Sequence, residues 1–293
     1  MATPAPTVFH GIADRGELDI VDAQLHLSPS PGLDSVTTAM DALGIRSVLL
    51  DELWGRNEQD HVTPCIEFGG GAYRPLSPLA QAAALQDPNR FAWLQRITRR
   101  DPGLNSLIPQ LASAPGCRAL RLVIFEKDEC VLFAGGGYDE VLSLAQEHGL
   151  ALCLLARDVA SLLQAVAPRF PRLQFVVDHC GWVRRQKHWD DVLALARLDN
   201  TWLKWSHFHR AFGDGEVNAQ GVQGAFQQAL GAFGAQRMLW AGDITHEETS
   251  ATWAQLLTFV QLNPAASDAD KEWLLGRTAR AVFRWPARAV ASC

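Results

Sequence analysis

"IVDAQLHL", residues 20–27, has the pattern of a buried strand that ends in polar side chains. Residues two apart on a strand point to the same face, so Gln24 and His26 share a face. Histidine at both positions would form a metal-binding pair, but the first position holds glutamine. The end of this strand is therefore a metal site that lacks one ligand, a site that uses no metal, or an ordinary strand end.

Similar apolar segments recur along the chain, and they decide the fold class. They lie at residues 47–52, 91–98, 117–124, 150–156, 174–180, 201–206 and 237–243. Near-continuous apolar runs are typical of strands buried on both faces of a parallel sheet. Helical patterns lie between most of them: Gly149 can end one helix, Asp158 can cap the next, and Ser267 with Asp270 resembles a capping box. A strand and a helix repeated eight times predict an α/β fold, the (β/α)8 TIM barrel.

The domain organisation is predicted to be simple. No Pro/Ser-rich linker divides the chain, so we expect one barrel over residues 20–286, an N-terminal arm over 1–19 and a C-terminal tail over 287–293. The segment 53–90 is an enlarged loop after the second strand. Loops that follow barrel strands lie at the rim where active sites are built, which places this loop beside the expected site.

Composition excludes several classes of protein. Hydrophobic residues make up 48% and charged residues 20%, as expected of a globular domain. The net charge of −6, without a Lys/Arg cluster, disfavours a nucleic-acid partner. We expect no signal peptide and no membrane span, because the chain has neither an apolar leader nor a long apolar run. Scattered cysteines without a C-x-x-C pair predict a reducing, cytoplasmic compartment. A small-molecule substrate is expected, and the barrel rim leaves a homo-oligomer possible.

Polar side chains follow most of the predicted strands. Because the ends of parallel barrel strands meet at one rim, His26, His179 and Asp243 converge if the barrel closes. Each residue alone has an ordinary alternative, such as a hydrogen-bonded structural histidine or a helix cap. Other polar residues at these strand ends are Asp51, Glu52, Arg121, Asp178, Lys204, Ser206, His207, His209, His246 and Glu247.

Five short motifs resemble those of one family. "VDAQLHL" stands where that family has Asp-Ala-His-x-His, "FVVDHCGW" is similar to its strand-6 Asp-His-x-Gly, and "WLKWSHF" to its strand-7 Lys-x-Ser. "RMLWAGDITH" is similar to its strand-8 Gly-Asp element, and "RTARAVFRW" to its closing helix, with Thr278 where asparagine is usual. In this order, over residues 20–285, the motifs resemble the amidohydrolase-2 branch of the amidohydrolase superfamily. That branch includes sugar-lactone hydrolases, 2-pyrone-4,6-dicarboxylate lactonase and aromatic-acid decarboxylases.

Two departures bear on the metal that many members of this family use. Gln24 replaces the first strand-1 histidine, and "LCLLA" on strand 5 offers no histidine. A neutral amide binds transition metals poorly, so His26, His179 and Asp243 remain as candidate ligands. The resemblance implies acid/base work for the strand-6 His179, which leaves two ligands. We therefore predict a site with no metal and no other cofactor.

The chemistry favoured without a metal is ester hydrolysis, for which the metal-free lactonase of the branch is a precedent by resemblance. A metal-free C–C cleavage of a β-dicarbonyl compound is a further alternative. Asp243 is expected to act as general base on water, and His26 and His179 to donate hydrogen bonds to the carbonyl oxygen. The Gln24 amide keeps an N–H donor at the place of the missing imidazole. The leading prediction is a metal-independent lactonase. The alternatives are a metal-dependent hydrolase or decarboxylase and a non-catalytic ligand-binding barrel.

The substrate contacts are predicted less specifically. Arg121 is a candidate to bind a carboxylate, and Tyr73 with Arg74, after a glycine run, to fold over the site from the enlarged loop. Loop anchoring is the alternative for Tyr73 and Arg74. Further candidate contacts are Trp54, His207 and His246. Trp54, Trp182 and Trp205 are candidates to line a flat apolar pocket, with packing of helices against strands as the alternative. These features favour a carboxylated, aromatic or unsaturated lactone, with a sugar lactone as the rival.

Overall fold

The computed structural model describes residues 18–30, 32–56, 61–183, 186–244 and 250–286. Eight parallel strands form one sheet in sequence order. They are β1 (Ile20–Leu27), β2 (Ile45–Glu52), β3 (Phe91–Arg96), β4 (Cys117–Ile124), β5 (Ala151–Ala156), β6 (Phe175–Val177), β7 (Thr201–Trp205) and β8 (Met238–Trp240). Hydrogen bonds from Asp243 N to Gln24 O, 2.9 Å, and from His26 N to Ile244 O, 3.3 Å, join the last strand region to the first. The predicted (β/α)8 barrel is confirmed.

Helices follow the strands on the outside of the barrel. Gly149 ends α5 in the left-handed region, with φ 68°, as predicted, and Ser267 with Asp270 forms the predicted capping box. Asp158 precedes α6, but its side chain makes no capping hydrogen bond. The helices are α1 (Gly32–Leu43), α2 (Pro78–Gln86), α3 (Leu104–Ser113), α4 (Lys127–Gly135), α5 (Asp139–His148), α6 (Val159–Val166), α7 (Gln186–Ala194), α8 (Phe208–Phe212), α9 (Gln220–Phe233), α10 (Trp253–Leu262), α11 (Asp268–Glu272) and α12 (Thr278–Val282), with a π-helix at Trp273–Arg277 and 3₁₀ turns at Ala167–Arg169, His179–Trp182, Leu195–Arg197 and Ala235–Arg237.

Two apolar layers stabilise the barrel. The inner layer fills the barrel with small side chains such as Ala92, Ala119 and Val176, and α12 covers its lower end. The outer layer packs the opposite strand faces against the helices. This arrangement leaves the upper end of the barrel, where the strands end, for polar side chains.

An irregularity in β1 turns the polar residues of the first strand inward. The β1–β2 register shifts between Asp22 and Leu25. Val21 and Ala23 belong to the inner layer, whereas Leu25 and Leu27 belong to the outer one. A bulge of this kind re-aims the side chains that follow it. Gln24 and His26 consequently point to the barrel interior.

The segment between β2 and β3 is enlarged, as predicted. It contains two hairpins, Gly55–Arg56 with His61–Val62 and Cys65–Gly69 with Ala72–Pro75, followed by α2. The predicted arm and tail lie outside the described residues apart from 18 and 19, so the domain limits stay a prediction. In the part of the chain that is described, no helix is both long and apolar enough to span a membrane.

Gly276 in the π-helix packs closely against the residue before β1, and a substitution there tests how tight this packing is. A Cβ at Gly276 would lie 1.9 Å from the backbone oxygen of Asp19. We expect Gly276→Ala to lower the free energy of unfolding by about 1–3 kcal/mol or more, because backbone has to move. Gly224→Ala in α9 is the matched control, since its Cβ would meet nothing within 4 Å, and alanine favours a helix by up to about 1 kcal/mol. Urea unfolding measures both; equal stabilities would contradict the close packing.

Candidate active site

Asp243 is the centre of a polar cluster at the upper end of the barrel. It follows β8 with φ 49° and is 1% exposed. His207 Nε2 lies 2.7 Å from its Oδ2, His179 Nδ1 lies 3.4 Å from the same oxygen, and His26 Nε2 lies 3.2 Å from Oδ1. The barrel thus brings together His26, His179 and Asp243, as their strand positions suggested, and adds His207. The His207 side chain is 15% exposed and lies within the cluster.

The backbone that presents these groups is unusual. His179, Cys180, Gly181 and Trp182 have φ values of 54°, 52°, 75° and 53°, and His207 has φ 50°. Left-handed conformations cost about 1–2 kcal/mol for each residue other than glycine. Such strain persists where the surrounding structure fixes it, and it collects at functional sites. In this structure, left-handed residues follow each of the strands β6, β7 and β8.

Burial and neighbouring charges set the protonation of the cluster. Burial lowers the pKa of His179 well below its usual value and also lowers the pKa of His26. Burial would raise the pKa of Asp243, but His26, His179 and the hydrogen bond from His207 outweigh it and hold this pKa well below its usual range. At neutral pH the lowered pKa values therefore favour Asp243 as a carboxylate beside the neutral imidazoles of His26 and His179.

A layer of buried ion pairs lies directly beneath the cluster. Arg121 is 2% exposed, and its guanidinium contacts Asp51 Oδ2, Asp178 Oδ2 at 2.9 Å and His179 Nε2 at 3.1 Å. Arg96 pairs with the same Asp51, with its Nε 2.7 Å from Oδ1. The predicted contact between Arg121 and a substrate carboxylate needs correction on this geometry, because protein carboxylates already surround the guanidinium.

Lys204 completes this layer from β7. Its Nζ, fully buried, lies 2.6 Å from Asp178 Oδ1, 2.6 Å from Gln24 Oε1 and 3.7 Å from Cys153 Sγ. The Gln24 amide nitrogen is buried and has no hydrogen-bond partner among the residues described. The sequence placed Lys204 among the polar strand-end residues and in the motif similar to Lys-x-Ser, but it gave this charged residue of the apolar strand "TWLKW" no role.

Of the tryptophans predicted to line a pocket, Trp182 lies beside the cluster and Trp205 lies in the core. Trp182 lies 5.6 Å from the His179 ring and 5.8 Å from the His207 ring, and it lines a cavity of about 620 Å³ with Phe125 and Arg157. Trp205 instead stacks in the core, 5.1 Å from Phe208, which corrects the pocket position considered for it.

The enlarged loop is anchored away from the cluster. Arg74 binds Asp101 in a bidentate ion pair at 2.6 and 2.8 Å, and Thr98 Oγ1 donates to the Tyr73 carbonyl. This geometry matches the loop-anchoring alternative and gives Arg74 no contact with the cluster. Trp54 is 43% exposed and donates to Glu52. The predicted contact His246 lies outside the described residues.

Three residues of the cluster have the spacing of metal ligands. In the described ranges, one group of potential ligands has its ligand atoms within 4.8 Å of one another, namely His179, His207 and Asp243, so His207 replaces the His26 considered from sequence. Three such ligands suffice for a catalytic zinc site. However, His179 Nε2 faces the Arg121 guanidinium, His179 Nδ1 is 2.8 Å from Ser206 Oγ, and the Gln24 carbonyl oxygen faces the Lys204 ammonium. The donor set therefore fits a metal poorly.

The chain is similar to one protein family and to several solved structures. A family model described as amidohydrolase matches residues 107–285. Comparison with curated proteins gives no match. Among solved structures, an amidohydrolase from Burkholderia multivorans with bound zinc is 17% identical, with TM-score 0.72, covering 91% of this chain and 99% of the other.

Two other solved structures carry more specific names. A candidate 2-pyrone-4,6-dicarboxylic acid hydrolase from Pseudomonas putida is 20% identical, with TM-score 0.71, covering 92% of this chain and 98% of the other. The 5-carboxyvanillate decarboxylase from Sphingomonas paucimobilis is 15% identical, with TM-score 0.62, covering 92% and 100%. At such identities these structures support the fold and not a particular reaction.

Proposed function

This chain belongs to the amidohydrolase family, and we propose that it is a hydrolase that opens a lactone by water attack without a catalytic metal. One observation carries the proposal: the Asp243 carboxyl group meets three imidazoles at the barrel mouth, while Arg121 faces His179 Nε2 and Lys204 faces the Gln24 side-chain oxygen. A site without a Lewis acid favours the easier electrophile, and lactones are much more reactive than amides.

In the proposed reaction the cluster divides the work between base and hydrogen-bond donors. Asp243 removes a proton from water as the water oxygen bonds to the lactone carbonyl carbon. His26 and His179 donate hydrogen bonds to the oxyanion that forms. The ring C–O bond then breaks, and the leaving oxygen takes the proton held by Asp243. The balance is one lactone and one water giving one hydroxy acid.

Substrate binding also affects the strength of the base. In the free protein the imidazoles around Asp243 lower its pKa, and a carboxylate with a low pKa is a weak base. When His26 and His179 turn their N–H groups to the lactone carbonyl, Asp243 loses part of that stabilisation. Its basicity then rises at the step that needs it. The Gln24 amide nitrogen, which has no hydrogen-bond partner among the described residues, is the third donor to the lactone carbonyl oxygen.

The substrate class follows from the groups that border the cluster. Trp182 presents a flat ring beside His179 and His207, which favours an unsaturated or aromatic lactone. Arg121 and Arg74 are bound to protein carboxylates, so neither supports the carboxylate that was predicted on the substrate. A pyrone carboxylate is therefore compared with unsubstituted unsaturated lactones and with aldonolactones.

Metal removal tests the proposal directly. Proton release from these lactones is measured with EDTA-treated protein, untreated protein and protein supplied with Zn²⁺. We expect equal rates in all three, because no step uses a metal. Activity that disappears with EDTA and returns with Zn²⁺ would favour the rival, a metal-dependent hydrolase or decarboxylase that uses His179, His207 and Asp243 as ligands. Carbon dioxide release from an aromatic acid would identify the decarboxylase.

A further inference from the structure

Arg121 contacts three groups, one from strand β2 and two from the segment directly after strand β6. Its Nε donates to Asp178 Oδ2, Nη1 to Asp51 Oδ2, and Nη2 approaches His179 Nε2 at 3.1 Å. All these groups are buried, and Arg96 holds Asp51 from its other side. The guanidinium plane is thus fixed by two carboxylates before it meets the imidazole.

The chemistry of this contact leaves one protonation state for His179. A guanidinium carries only donors, so Nε2 of His179 has to accept and cannot hold a proton. The neutral ring then carries its proton on Nδ1, which lies 2.8 Å from Ser206 Oγ. We infer that Arg121 is a positioning residue that fixes His179 as the neutral Nδ1–H tautomer.

The tautomer decides what His179 can do in the proposed reaction, and this consequence rests on the proposed function. The Nδ1–H group lies on the side of Asp243, with Nδ1 3.4 Å from Oδ2. It can leave Ser206 Oγ and donate to a lactone carbonyl placed beside Asp243. The ring cannot accept a proton on Nε2, because the guanidinium occupies that atom. His179 is therefore a donor to the oxyanion and not a second base.

The tautomer is observable in the protein without any substrate. Long-range ¹H–¹⁵N NMR spectra of histidine-labelled wild type, with the His179 signal assigned from its loss in His179→Gln, distinguish a protonated Nδ1 from a protonated Nε2. We expect Nδ1 to be protonated and Nε2 unprotonated. A protonated Nε2, or a ring protonated on both nitrogens at neutral pH, would overturn the inference.

Arg121→Lys tests the cause of the tautomer, with Arg96→Lys as the matched control. Each variant keeps a positive charge near Asp51, but only the first removes the guanidinium from His179 Nε2. Lysine has one nitrogen where arginine has three, and Asp51 and Asp178 hold that nitrogen away from His179 Nε2. We therefore expect an Nε2–H signal to appear in Arg121→Lys and the wild-type His179 signal to persist in Arg96→Lys. Unchanged His179 shifts in Arg121→Lys would refute the positioning role.

A kinetic readout separates this inference from the proposed function. With an accepted lactone, kcat of Arg121→Lys should fall by about 10- to 100-fold, the range typical when the hydrogen-bond partner of a metal-binding histidine is changed, while KM stays near its wild-type value. Absence of any lactonase activity would overturn the proposed function and leave the NMR result standing. A wild-type kcat in a variant that has lost the Nδ1–H tautomer would show that the tautomer has no catalytic use.

Discussion

Asp243→Asn should remove hydrolysis of whichever lactone the wild type accepts, with kcat lower by about 10²- to 10⁴-fold. The amide matches the carboxylate in size, and its oxygen can still accept the hydrogen bond from His207 Nε2. It cannot take a proton from water at neutral pH, so the proposed general base is lost while the cluster geometry is kept. Initial rates of proton release, measured at saturating lactone, give the effect on kcat.

Asp139→Asn is the matched control for this substitution. Asp139 begins α5 at the surface, is 43% exposed and pairs with Arg169, so the same chemical change should leave kcat at its wild-type value. Circular dichroism and the melting temperature of Asp243→Asn show whether the barrel is retained. A folded Asp243→Asn protein with wild-type kcat would exclude Asp243 as the base. A folded wild type that binds lactones and turns over none would favour the non-catalytic alternative.

The fold was predictable because its buried strands are apolar runs in the sequence. Each barrel strand lies within or beside a predicted apolar run, since both faces of a parallel barrel strand are covered. The run 174–180 shows where this signal ends. The strand in the structure is Phe175–Val177, and the following residues enter a left-handed turn from His179 to Trp182. Only Gly181 marked that turn in the sequence, because tertiary packing imposes it on the other residues.

The sequence predicted which residues lie at the candidate site, but it did not predict their ion-pair partners. The shared end of parallel strands was enough to bring His26, His179 and Asp243 together. Arg121 was predicted to face the site, which alternation along β4 allows, but its partners Asp51 and Asp178 are 70 and 57 residues away in the chain. Sequence alone does not show whether an inward cation meets a substrate or a buried carboxylate. Arg74, bound to Asp101 27 residues away, is a second example.

Lys204→Met should cause the largest loss of stability, about 3–5 kcal/mol, because it breaks a buried ion pair by removing one partner. Its ammonium, with no exposed surface, donates to Asp178 Oδ1 and Gln24 Oε1, both at 2.6 Å. Methionine fills a similar volume, so the loss reflects electrostatics more than a cavity. Urea unfolding measures it, and the melting temperature should fall by on the order of 10 °C.

Arg169→Met is the control, because the Arg169–Asp139 pair is bidentate but exposed, and such pairs contribute about 0–1 kcal/mol. A double-mutant cycle with Asp178→Asn then isolates the interaction of Lys204 with Asp178, since Arg121 remains beside residue 178 in every variant. A loss below about 1 kcal/mol for Lys204→Met would mean that burying this charge costs nearly as much as its partners return. In that case the layer beneath Asp243 would be kept for the arrangement of the site rather than for the stability of the barrel.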